Sequence, residues 1–465
     1  MILLRSNSFA AAVAIALGAV VGGAAAFGPL FVVAGLLALA VGYAMLTSTD
    51  LGLVAVFAII TLLPFGTLPF RAIITPNFLT LALAALLGVW VLRLLAHGDA
   101  FDLRLSALGL PLLGFIGFTF FALFLGARGL PDPSTLHNYA KFVLGVLFFF
   151  TIINCVRTRD QARFALRALI IAGGASALLG LLLYALNDQT ALRLLVSLGR
   201  IGYPTEGRVL RFVEDDPDGL ERAIGTSVDP NSFGGMLALV SALAAAQIFA
   251  EKPLLRRWLL ISIVGLMSVI ILLTFSRAAL FGLIIAAAFL ATIRYRRLWW
   301  AMIASVVLAA LVLFGLGIGG AFVERIYEGV RFEDQAQQMR LAEYQNAINI
   351  IARYPFFGIG FGLAPDIDLV AGVSSIYLAI AQRMGLLGLT AFLGIVAAWF
   401  VQTLRRLQQV DAERASWLLG AQAGLVAALS VGLADHYFFN IEFSHMVALF
   451  WGCAGLGVAI GDLQD

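Results

Sequence analysis

The chain has 465 residues, 62% hydrophobic and 12% charged, with a formal charge of +3 and a mean hydropathy of +0.98. Almost every long segment is apolar all round rather than amphipathic, which excludes an ordinary soluble domain and marks an integral membrane protein. No P-loop, dinucleotide fingerprint or nucleic-acid signature occurs, and Cys155 and Cys453, the two cysteines, suggest neither a disulfide framework nor a metal cluster.

Runs of about 17 to 25 apolar residues can cross the hydrocarbon core, and the chain offers about 14 of them. They lie near 9–26, 29–47, 50–65, 77–96, 107–126, 139–155, 164–186, 231–250, 257–275, 277–294, 298–319, 374–402, 416–434 and 443–461. Arg5, the run after it and Gly22–Phe27 have the form of a cleaved signal peptide, but a second apolar run follows directly, so an uncleaved first span is expected. Lipid cannot satisfy open backbone groups and the runs lack the alternation of a barrel, so an all-α polytopic transmembrane helical bundle is predicted. Its organisation reads as N-terminal spans over 1–186, a first outer loop over 187–230, central spans over 231–320, a second outer loop over 321–373 and C-terminal spans over 374–465.

Basic clusters at 157–163, 251–257, 294–297 and 405–414 fall on one side when the spans are counted alternately. The positive-inside bias makes that side cytoplasmic, together with both termini. The loops at 126–139, 187–230 and 321–373 then lie outside.

Nearly all of the 30 basic residues are arginine, and many lie on the outer side. Solvated surface arginines in long loops account for most of them. Arg222 precedes Asp229-Pro230, a helix-start signature in which Asp229, Asn231 and Ser232 cap free N–H groups, at a helix end that also favours anions. Arg277, in TFSRAA, stands at the outer turn between two spans. There it either forks onto a bidentate anion such as phosphate or snorkels to cap the carbonyls of the preceding span.

In the second outer loop, Leu341, Tyr344, Ile348 and Ile351 recur at steps of three and four. The period predicts an amphipathic helix on the outer surface with Arg340 and Glu343 on its other faces, ended by Tyr354-Pro355 and a turn at Gly358, Gly360 and Gly362. Between the last two spans LADHYFFNIEFSHMVALFW (433–451) gathers Asp435, His436, Asn440, Glu442 and His445. Tyr437, Phe438 and Phe439 read as an interfacial aromatic belt. The Asp-His pair is either a proton-transfer group or a hydrogen-bonded structural pair.

Taken in order, RAIGTSVDPNSFGG (222–235), LTFSRAALFGL (273–283), MRLAEYQNAINIIARYPFFGIGFG (339–362) and SSIYLAIAQRMGLLGLTAFL (374–393) resemble the O-antigen ligase and polymerase family of bacterial envelope glycosyltransferases. The resemblance covers roughly 220–461. It implies a GT-C-like bundle in the bacterial inner membrane, working at its outer face without a nucleotide sugar, metal or other cofactor. The implied substrates are a polyprenyl-diphosphate-linked glycan donor and a glycan or lipid A-core acceptor. A chain-length regulator and a flippase are further candidate partners beside the membrane lipids, and nucleic acid is not one.

The resemblance implies diphosphate binding for Arg277 and Arg340, with Arg222 a third candidate. Family ligases carry a histidine where this chain has Ser374 and Ser375, which moves the expectation from lipid A-core ligation toward polymerisation of O-antigen or exopolysaccharide units. Candidate bases are then Glu343, Asp366, Asp368, Asp435 and His436, with His436 oriented by Asp435 favoured. A multispan transporter or lipid-linked-glycan flippase is the competing class, although no clear internal repeat accompanies the charges.

Overall fold

The computed structural model describes residues 47–68, 75–96, 103–125, 131–315, 335–361 and 373–463, with isolated positions near the N-terminus. The spans expected at 9–26 and 29–47 lie almost wholly outside these residues, as do Gly362, Asp366 and Asp368. The chain is a helical bundle, and among the described residues β-structure is limited to the isolated bridges Thr67–Asn77 and Phe212–Glu221.

In order, the helices are α1 (Thr49–Leu62), α2 (Phe78–Ala96), α3 (Gly109–Leu125), α4 (Pro133–Cys155), α5 (Arg159–Ala185) and α6 (Asp188–Ser197). They continue with α7 (Pro230–Ile248), α8 (Arg257–Leu273), α9 (Arg277–Ile293), α10 (Arg297–Gly315), α11 (Gln335–Arg353), α12 (Ile376–Leu407), α13 (Ala412–Val431) and α14 (Ser444–Gly461). Five of them, α4, α5, α7, α12 and α14, are long and apolar enough to cross a membrane, and shorter apolar helices accompany them. The protein is a multi-pass membrane protein.

Two boundaries differ from expectation for a local reason. Helix α4 begins at Pro133, inside the stretch read as a loop, because Asp132 Oδ1 accepts the Ser134 and Thr135 N–H groups (2.9 and 3.0 Å) and proline needs no donor at the first helical position. The first long loop holds α6, capped by Asn187.

Helices α7 and α14 form the centre: 83% and 100% of their apolar windows are buried. Helix α14 packs along α4 and α13 along α7, with α8 and α9 flanking α7. The α7–α13 approach depends on small residues, since a Cβ at Gly420 would meet the Leu243 carbonyl at 2.8 Å. The loops before α7 and α14 therefore cover the middle of the bundle.

The bundle has two chemically different ends. At one, Arg159 pairs with Asp411 (3.0 Å) and Arg163 with Glu413 (2.9 Å), while Arg167 Nε donates to the Leu254 carbonyl. Three of the basic clusters counted to one side thus meet in space. The starts of α4, α7, α12 and α14 lie at the other end, where the candidate site forms.

Helix α12 is interrupted at Gly385 (φ 68°, ψ −175°), a conformation closed to side chains. The segment after α11 fills the break: Leu386 N–H donates to the Pro355 carbonyl (2.7 Å), and the Ile359 and Gly360 N–H groups donate to the Gln382 and Arg383 carbonyls (2.9 and 2.8 Å). Gly358, at φ 66°, lies against the 382–384 backbone, where a Cβ has no room.

Candidate active site

Four chain segments converge over the centre of the bundle. The first is the turn into α7. Asp229 Oδ1 accepts the Asn231 and Ser232 N–H groups at 2.9 and 2.8 Å, as its capping pattern predicts. Val228 before it takes a left-handed φ of 63°, a strained state for a β-branched residue that turns Asp229 toward the helix.

Arg222 is tied into this turn. Its Nε donates to the Thr274 carbonyl (2.8 Å) and its Nη2 to Asn231 Oδ1 (2.6 Å). The carbonyl at the end of α8 is thus capped by Arg222, while the exposed Arg277 opens α9 three residues further on, behind its N-cap Ser276. Burial lowers the Arg222 pKa, and the Asp229 and Asp435 carboxylates around it oppose that shift.

The second segment is α11. Its period grouped Leu341, Tyr344, Ile348 and Ile351 on one face of a surface helix; Leu341 and Ile348 are 43% and 56% exposed, and the buried, inward positions are Ala347 and Ile350. Arg340, Glu343 and Tyr344 share that inward side and are half-buried. That side meets α12 through its apolar positions and the loops at the site end through its polar ones. Tyr344 OH donates to the Ser374 carbonyl (2.9 Å), and Glu343 Oε2 accepts Ser374 Oγ (2.6 Å) and Ser374 N–H (3.0 Å). Burial raises the Tyr344 pKa.

The third segment is that approach to α12, and the fourth is the loop between α13 and α14. Asp435 is 3% exposed and its Oδ2 has no hydrogen-bond partner. Burial pushes its carboxyl up to about 7; Arg340 and Arg222 oppose that rise, while Asp229 and Glu343 add to it. His436 Nδ1 also lacks a partner, so the expected Asp435–His436 pair is not made through these two atoms. Burial pulls the imidazole down to about 4, and its ring stacks on Tyr437 at 4.7 Å. Tyr437, Phe438 and Phe439 are 7%, 3% and 4% exposed and pack inside the bundle, not as an interfacial belt. The Tyr437 hydroxyl meets Asp229 and Asn231.

The structure therefore brings Arg222, Asp229, Asn231, Arg340, Glu343, Asp435 and His436 together, with Arg277 at the margin. Sequence reading gave no role to Ser374, Tyr344 or Tyr437 in the site, and none to Lys141 or Arg383. The last is a charge inside an apolar span, a signal that hydropathy alone offers. Among the described residues no group of three or more metal-binding side chains occurs.

Residues 262–393 match the family model described as O-antigen ligase. The resemblance read from the sequence is borne out over this stretch, which includes Arg277, Arg340, Glu343, Ser374 and Arg383. A chain in a solved structure titled for the structural coordination of polymerization and crosslinking by a peptidoglycan synthase complex is similar at 19% identity and a TM-score of 0.41, over 76% of this chain and 95% of that one. No curated relative matches.

Proposed function

We propose that the protein is a membrane glycosyltransferase that extends a glycan carried on a polyprenyl diphosphate, an O-antigen or exopolysaccharide polymerase. The observation that carries this reading is Asp435: a buried carboxylate with an unpartnered oxygen, acted on by Arg340 and Arg222. Diphosphate is a doubly charged leaving group, and preorganised guanidiniums stabilise the charge it develops. Arg340 and Arg222 serve as its core cations and Arg277 as the cation at its margin.

In the reaction, an acceptor hydroxyl oxygen forms a bond to the anomeric carbon of the donor. The bond from that carbon to the diphosphate oxygen breaks, and the electron pair leaves with the diphosphate. The hydroxyl proton passes to Asp435. A base is most effective when its pKa lies near the working pH, which favours Asp435 at about 7 over His436 at about 4. This reading moves the base from His436 to its neighbour and leaves His436 as a neutral wall. Glu343, held by Ser374, positions α11.

Purified protein in lipid, supplied with a polyprenyl-diphosphate oligosaccharide and no nucleotide, tests it. A ladder of longer lipid-linked glycans supports the polymerase. Transfer only to a lipid A-core acceptor makes it a ligase, and no turnover alongside glycan uptake in vesicles makes it a transporter.

A further inference from the structure

Helix α11 carries Arg340 and the loop between α13 and α14 carries Asp435, so the way the helix is fastened to the loop sets the spacing of the two groups. Among the described residues Tyr344 makes the hydrogen bond that joins α11 to this loop. Its hydroxyl, one turn after Arg340, reaches the Ser374 carbonyl at 2.9 Å and the Leu433 carbonyl at 3.4 Å. A hydroxyl has one proton, so the Ser374 contact is the stronger arm and Leu433 the shared one. Leu433 lies two residues before Asp435.

The other bonds at this end of α13 come from the start of α12. The Gly432 carbonyl accepts the Ile376 N–H (2.9 Å) and Ser375 Oγ (3.3 Å), and Tyr377 OH donates to the Leu429 carbonyl (2.9 Å). Tyr344 brings α11 into the same knot. Arg340, Asp435 and Glu343 all act on its half-buried hydroxyl, which therefore stands among the groups it would align. Glu343, in contrast, bonds Ser374 and not the loop.

We propose that Tyr344 is a positioning residue, whose hydroxyl locks α11 to the start of α12 and to the loop before Asp435 and so holds Arg340 and Asp435 at their working separation. The effect on rate rests on the glycosyl-transfer reading. The mechanical link to Asp435 does not.

Tyr344→Phe removes the hydroxyl and keeps the ring. Tyr377→Phe is its matched control: it removes a tyrosine hydroxyl bonded to an α13 carbonyl four residues before Leu433, outside the site. Full-length protein in lipid is assayed with a polyprenyl-diphosphate oligosaccharide, and the Asp435 carboxyl is titrated by infrared spectroscopy, its C=O band being the one that Asp435→Asn abolishes. The charged and titratable groups facing Asp435 are Arg340 and Glu343 on α11, Arg222 and Asp229 before α7, and His436 and Tyr437 beside it. Neither substitution alters any of them, so a moved midpoint reports the loop itself. Burial is the main cause of the high Asp435 midpoint, and a loosened loop admits water, so Tyr344→Phe should bring the midpoint below about 7. It should also lower kcat about ten- to a hundredfold, the scale of a small misplacement, with donor KM little changed because Arg340 and Arg222 remain. Tyr377→Phe should melt at a similar temperature to Tyr344→Phe and move neither kcat nor the midpoint.

A lowered kcat with an unmoved midpoint, equal effects in the two variants, or no effect in Tyr344→Phe overturns the proposal. A rise in KM that accounts for the whole loss also overturns it and makes Tyr344 a donor contact. A midpoint that moves in Tyr344→Phe alone, in a protein that turns over no donor, supports the positioning link and removes the glycosyl-transfer reading by itself.

Discussion

Ser374 gives both its hydroxyl and its N–H to one oxygen of Glu343, at 2.6 and 3.0 Å. A carboxylate held this way fastens α11 to the start of α12 and fixes Arg340 one turn away. Glu343→Ala should leave both Ser374 donors unpaired, cost about 1–3 kcal/mol and lower turnover more than tenfold as Arg340 shifts. Ser374→Ala keeps the N–H contact and should cost about 1 kcal/mol, with turnover within tenfold of wild type. Thermal unfolding in detergent and the ladder assay measure both; a larger effect from Ser374→Ala would make the hydroxyl itself a reacting group.

Asp435 sets the pH dependence. Its carboxyl ionises near 7 in the folded protein, above its ordinary 3.8, so turnover should rise with pH through about 7 and level off above it. Asp435→Asn should lower the rate by about 10²–10⁴. Stability runs the other way. The raised pKa favours folding at low pH, and that contribution is lost progressively as pH rises from the ordinary 3.8 to about 7, so Asp435→Asn should gain more in unfolding temperature over wild type at pH 8 than at pH 5. An unchanged profile in the variant would move the proton to another group.

Arg340→Ala and Arg277→Ala should abolish chain extension while the protein still inserts and accumulates. Arg277→Lys should also lose most activity, because a point charge does not reproduce the two-pronged guanidinium. Gel analysis of polymer from cells carrying each variant, beside an immunoblot of the membrane fraction, checks this. Normal polymer from Arg277→Ala would confine the diphosphate to Arg340 and Arg222.

Arg222 has two tasks that one substitution separates. Lysine keeps the charge but cannot serve both the Thr274 carbonyl and Asn231 Oδ1. Arg222→Lys should therefore cost about 1.5–3 kcal/mol and raise donor KM. A variant with unchanged melting and a raised KM would show that the anion contact alone matters.

The helices were legible because lipid-crossing length and apolarity are written residue by residue, as in α7 and α14. The start of α4 was not, since Asp132-Pro133 sits among polar residues whose hydropathy reads as loop. In the site, Asp229 and Asn231 were readable from a local capping pattern. The helix α11 was readable from the spacing of Leu341, Tyr344, Ile348 and Ile351, but only the tertiary partners Ser374 and Leu433 show that Glu343 and Tyr344 face the bundle. Asp435 was visible as a residue, but its solitude is a property of burial, which spacing does not encode.

The gap in α12 bears on how the chain is assembled. In a continuous helix the Gln382 and Arg383 carbonyls would find donors further along the same helix; here they take the N–H groups of Ile359 and Gly360. Lipid offers no substitute donor, so α12 alone is not a complete membrane segment. Its missing partners precede it in the chain and leave the ribosome first. The 355–360 segment is thus waiting when α12 emerges, and the two enter the bundle as one unit, with Arg383 carried to its depth by the segment it has already joined.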